Sequence, residues 1–145
     1  MTMIIIGIIS AVAIPRFFDT DVFKARGFAD EVQATLRYAQ KVAIAQHRFV
    51  CVRFTNNSIT LDIGATATCG TPLISPAGDA SYVINAPSGI TFGTTAPVVP
   101  NNFGFNALGA PIDITTGALI NVRQTINIVG AANGIAIEQE TGYVH

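Results

Sequence analysis

The chain has 145 residues, half of them hydrophobic and only 12% charged, with a formal net charge of −1. That length suits one domain with a real core and is too short for two comfortable ones, and the charged fraction is half the usual quarter, which fits a membrane-attached or polymerised protein better than a free monomer. Seven of the eight Lys+Arg lie in residues 1–53, whereas residues 54–145 hold only Arg123 against five acids, so the carboxyl-terminal part lacks the basic surface that holds nucleic acid.

The chain opens on MTMIIIGIISAVAIPRFF, and no charge falls between Met1 and Ile14. Such a run needs cover from lipid or from copies of itself. At ~1.5 Å per residue it reaches about 21 Å, short of a hydrocarbon core of about 30 Å. It is not a complete signal peptide either, since no basic flank precedes it and no small-residue cleavage site follows. The run is therefore expected to stack within an assembly, or to lack residues at its front. Gly7 and Pro15 are its expected weak points, where the helix should bend or melt easily or carry a kink with no role: Pro15 frees the carbonyl of Ala11 and disfavours helix at Ile14.

Residues 20–48 read as an amphipathic helix. Phe28, Val32, Leu36, Ala39 and Ala43 form one apolar stripe, with Asp30, Glu31, Gln33, Arg37, Gln40 and Lys41 mostly off it. Asp19 or Thr20 suits its N-terminal cap.

After His47 the period changes from 3.6 to 2. Arg48–Phe54 alternates, with Phe49, Cys51 and Arg53 on one face and Val50, Val52 and Phe54 on the other. Asn56-Asn57 turns the chain, and Ile59, Leu61 and Ile63 form the return strand of a hairpin. Residues 64–80 read as loop. Further short strands are expected at Ser81–Asn85, Ile90–Phe92, Asn102–Asn106, Gln124–Val129 and Ile135–Gln139, with Tyr143-Val144 adding to the last. Pro97, Pro100 and Pro111 mark loops or sheet edges. This section reads as all-β, with two small sheets packed together.

Cys51 and Cys69 fit neither a CxxC redox motif nor a zinc site. They form one disulfide if the domain lies outside the cytoplasm, or remain two buried thiols. The only histidines, His47 and His145, stand at a helix end and the chain end, and no nucleophile elbow, phosphate loop or dinucleotide fingerprint appears. Glu138 and Glu140 share a face of an expected strand and read as a solvated pair. Asp113 with Thr115, Thr116 and Gly117 reads as a turn rather than a cation loop, as does Gly104–Gly109. Thr55–Ser58 contains a glycosylation-type triplet that hairpin turn chemistry explains. No catalytic set, metal site or cofactor is expected.

Several stretches together resemble a known family. The apolar run ending in Ala13-Ile14-Pro15-Arg16-Phe17-Phe18, the amphipathic helix and the β-domain look like a type IV pilin or type II secretion pseudopilin. Leu36-Arg37-Tyr38-Ala39-Gln40-Lys41-Val42-Ala43, leading into Arg48–Phe54, resembles the minor-pseudopilin and FimT-like subfamily. The closing Glu140-Thr141-Gly142-Tyr143-Val144 is similar to its Thr-Gly-containing end, and minor subunits of mannose-sensitive haemagglutinin pili are the nearest in pattern. The family's Gly-Phe-Thr-Leu-x-Glu-Leu start, with its cleavage site and methylated residue, is not in this chain. Restoring about seven residues would bring the stem to about 33 Å, enough to span a bilayer.

The resemblance implies an α+β fold in which a long N-terminal helix, apolar then amphipathic, packs on an antiparallel β-domain. It divides the chain into a truncated stem (1–18), an amphipathic helix (19–48) and a periplasmic β-domain (49–145). It implies a structural, non-enzymatic subunit, anchored in the inner membrane by a single pass and then assembled into a pilus or pseudopilus. The implied partners are other pilins, inner-membrane lipid and an assembly platform. A FimT-like subunit that captures DNA, using Arg37, Lys41 and Arg48, is the alternative.

Overall fold

The computed structural model describes residues 20–93 and 102–145. The run Met1–Phe18, with Gly7 and Pro15, lies outside them, as do Asp19, Pro97 and Pro100.

One helix, α1 (Thr20–Gln46), buries Ala25, Phe28, Val32, Thr35, Leu36, Ala39, Val42 and Ala43. These recur every three or four residues and so line one side of the cylinder. Lys24, Arg26, Asp30, Glu31, Arg37 and Lys41 are exposed on the remainder of the helix surface. The helix stops at His47, which adopts φ = 50°. Arg48 N–H donates to the Ala43 carbonyl at 3.2 Å and His47 N–H to the Ile44 carbonyl at 3.4 Å, closing the last turn as a Schellman motif.

This geometry corrects two expectations. The described helix is 27 residues long and has charged residues spread along it, so it is not the long helix with an apolar first half. Among the described residues no helix is long and apolar enough to cross a membrane, which overturns the single inner-membrane pass. The reason is compositional, because each turn of α1 that turns an apolar residue inward turns a charged or amide side chain outward.

The rest is an antiparallel sheet domain with two sheets, an arrangement compatible with α+β. The larger sheet contains β1 (Phe49–Phe54), β2 (Ser58–Gly64), β3 (Thr71–Pro72), β4 (Tyr82–Asn85), β5 (Phe103–Phe105) and β6 (Pro111–Asp113). Its order is β3-β2-β1-β5-β6, and β4 pairs with the other end of β2. In register, Val50 faces Ile63 and Phe105, and Val52 faces Leu61 and Phe103. Because side chains alternate, these residues with Phe54 and Ile59 line a single face, and α1 lies across it, over β1. A train of rings runs through the core, with centroids of Phe28–Phe92, Phe92–Phe54, Phe54–Phe103 and Phe103–Phe105 at 5.5–5.9 Å. Each ring buried in this way contributes about 2–3 kcal/mol.

The opposite face is covered by the chain itself. Gly104 lets Ile114 and the Val50 carbonyl approach closely; a Cβ there would meet that carbonyl oxygen at 2.8 Å. Cys51, Ile112 and Ile114 are buried on this side. The smaller sheet pairs β7 (Gln124–Ile126) with β8 (Ile135–Ile137), and Val144 bridges to Ile137 on its far edge. Ile90–Phe92 forms no strand; Phe92 makes one bridge to Ile128.

Candidate functional site

No group of three or more His, Cys, Asp or Glu able to hold a metal ion occurs among the described residues. His47 sits at the end of α1, and His145 lies at the other end of the fold. Glu138 and Glu140 do not share a strand face: β8 ends at Ile137, and Gly142 N–H donates to the Glu138 carbonyl at 2.9 Å, turning the chain between them. Glu138 instead accepts from His145 Nε2 at 2.8 Å and faces Arg123 Nε at 3.4 Å. The His145 hydrogen bond, aided by the Arg123 charge, holds the Glu138 carboxyl below its usual range. Tyr143 stacks on the His145 ring at 5.5 Å. This cluster is exposed and holds no nucleophile, so its chemistry is that of a surface ion network.

Asp113 caps a tight turn. Its carboxylate accepts from the N–H groups of Thr115 (2.7 Å) and Thr116 (3.0 Å) and from the Thr115 hydroxyl. Those bonds, the hydroxyl's first, lower its pKa. All point inward to the turn, as an Asx turn requires and a cation site does not.

Cys51 and Cys69 are bonded, with Cα atoms 6.1 Å apart. The bridge straps residues 65–70 over the sheet face away from α1. Arg53 adds a second hold: its Nε meets Asp62 Oδ2 at 2.7 Å, and its Nη2 donates to the Thr68 carbonyl at 3.0 Å. At the hairpin tip, the Thr55 N–H donates to the Ser58 carbonyl at 2.9 Å and the Thr55 and Ser58 hydroxyls lie 2.6 Å apart, so the TNNS stretch serves as a turn.

The feature that joins distant parts of the chain is a polar clasp on the flank of α1. Arg37 Nε donates to the Val144 carbonyl at 3.1 Å. Gln40 Nε2 donates to the carbonyls of Gly109 (3.0 Å) and Thr141 (2.8 Å). Gly142, at φ = 65°, fits beneath: a Cβ there would sit within the van der Waals shell of the Gly109 carbonyl oxygen and 2.8 Å from Gln40 Nε2. The clasp therefore gathers the run Leu36–Ala43, the Asn106–Gly109 turn and the closing residues 141–144 at one place. From the sequence, Arg37 and Gln40 count among the residues mostly off the apolar stripe of α1. No local pattern in the sequence marks them as residues that meet the end of the chain.

Among the described residues, two surface recesses are candidates for a site. A groove of about 390 Å³ runs between Arg26, Asp30 and Gln33 of α1 and the loop from Ala131 to Ile135. A slot of about 420 Å³ is lined by Ala110, Leu119, Asn121, Gln139 and Glu140. Neither brings together a nucleophile and a base, and neither lies on the clasp.

No family model matches the chain, and no curated protein and no solved structure matches it.

Proposed function

We propose that this chain is a structural subunit of a pilin-like filament, a minor pilin or pseudopilin, and not an enzyme. The observation that carries the reading is the clasp. The two segments that resemble the family, Leu36–Ala43 and Glu140–Val144, bind one another through Arg37, Gln40 and Gly142. Residues that resemble a family at two distant points and then meet in space act as one structural device, the kind that a scaffold subunit needs to fasten an N-terminal helix to its β-domain. In this reading the helix face not covered by the sheet, and the apolar run Met1–Ile14 that precedes it, pack against neighbouring copies. The β-domain supplies the outer surface of the assembly.

The test is proximity between copies in cells producing the full chain. Single cysteines placed along Ile4–Phe18 and treated with a bifunctional thiol reagent are expected to give dimers and higher ladders. An exclusively monomeric pattern at every position refutes the proposal.

A further inference from the structure

Beyond β6 the chain folds back, and Ala118–Ile120 runs alongside Pro111–Asp113. Asp113 N–H donates to the Ala118 carbonyl at 2.9 Å, and Ile120 N–H donates to the Pro111 carbonyl at 3.0 Å. These two bonds bracket the Ile112–Leu119 bridge. Ile112 and Leu119 are thus the non-hydrogen-bonded members of an antiparallel ladder, and the N–H and C=O of Leu119 point away from β6. Among the described residues no backbone group answers them. The sheet therefore ends on an open edge.

Natural sheets guard such edges with Lys, Pro, bulges or inward-pointing charges. Leu119-Ile120-Asn121-Val122 has no charged residue and no proline. It presents apolar surface instead: Leu119 is 56% exposed and Val122 66%. Space for an incoming chain is present as well. The slot of about 420 Å³ is lined by Leu119 and Asn121 together with Ala110, Gln139 and Glu140. Glu140 has no hydrogen-bond or ion-pair partner among the described residues, so the slot carries one uncompensated negative charge.

We propose that this slot takes an extended segment of a partner polypeptide as an added strand on the Leu119 edge, with apolar side chains against Leu119 and a basic side chain against Glu140. Main-chain bonds to Leu119 supply attraction that any extended peptide can make, and the alternate side chains supply selectivity. The Glu140 contribution weakens with salt, because the site is open to water. The surface is built from Ala110, Leu119, Asn121, Gln139 and Glu140, so its test does not depend on how copies of the chain assemble.

The test pans the intact chain against a display library of random peptides of about nine residues, long enough for a strand of ordinary length. Enriched peptides are expected to alternate apolar residues and to carry Lys or Arg. Their binding is expected to weaken about tenfold on Leu119→Pro, which removes the outward N–H without breaking an internal bond. Glu140→Lys, an exposed change that leaves the edge intact, is expected to shift enrichment from basic to acidic peptides. Amide exchange at Leu119 slows when an enriched peptide is bound. No enrichment, or enriched peptides indifferent to both substitutions, overturns the proposal.

Discussion

Gly142→Ala tests the clasp directly. Gly142 is buried at φ = 65°, a conformation in which a Cβ costs roughly 1–2 kcal/mol. The added methyl also presses on the Gly109 carbonyl oxygen, a backbone atom that cannot swing aside, and on Phe105 Cε1 at 3.2 Å. Overpacking of this kind costs about 1–3 kcal/mol. Gln40 Nε2, at 2.8 Å from the new atom, must retreat, and its two bonds to carbonyls are worth about 1 kcal/mol each. The total is about 4–7 kcal/mol, a large part of the 5–15 kcal/mol that holds an ordinary domain. With an m-value of about 2 kcal/mol/M, the urea midpoint should fall by roughly 2–3.5 M at unchanged m. Gly78→Ala is the control. Its φ is 95° and a Cβ there meets nothing within 4 Å, so it should cost the backbone strain alone. Equal midpoints for the two alanine variants would refute the reasoning, since the difference between them isolates the crowding.

Reducing the Cys51–Cys69 bridge, or replacing both cysteines by Ala, is expected to cost about 3 kcal/mol through the freed loop, given a sequence separation of 18. Thermal melts with and without reductant measure it, and superimposable curves would contradict it. Asp113→Ala should change the acid limb of the stability profile. The folded-state pKa of Asp113 lies below its ordinary 3.8, so its contribution is complete above that value and is lost as pH falls through the folded value. The gap between parent and variant should therefore narrow as the solution is acidified; parallel curves would refute the linkage.

Much of the fold is legible where one period dominates. The stripe from Phe28 to Ala43 marks the buried face of α1 because nothing local competes with it. The Phe49–Gly64 hairpin follows from strict alternation on both arms. β3 and β6 escape because each contains a proline, Pro72 and Pro111, which demotes a run by propensity. Both strands lie at the ends of the strand order, where a missing N–H is tolerated. Ile90–Phe92 looks like a strand by composition but finds only the Phe92–Ile128 bridge among the described residues, formed by the Gly93 N–H to the Asn127 carbonyl and the Val129 N–H to the Thr91 carbonyl. The clasp was hidden for a different reason. Arg37 and Gln40 find partners 107 and 101 residues away, and no local pattern reports such a meeting. The expected apolar half of the helix came from the run before Thr20, whereas α1 is polar on one side throughout its described length.

Those long separations also govern how the chain is made. A ribosome releases α1 first, and the residues that close over its flank emerge about a hundred positions later. At about 5–20 residues per second, α1 waits roughly 5–20 s for them. Through that interval Phe28, Val32 and Leu36 have only part of their cover, since Ile137 and Val144, both fully buried in the finished core, do not yet exist. The nascent chain is thus sticky for most of its synthesis and becomes self-contained only when its last strand is released. A binder of nascent apolar segments, engaging it before residue 137 appears, would act on the very face that the last residues later seal.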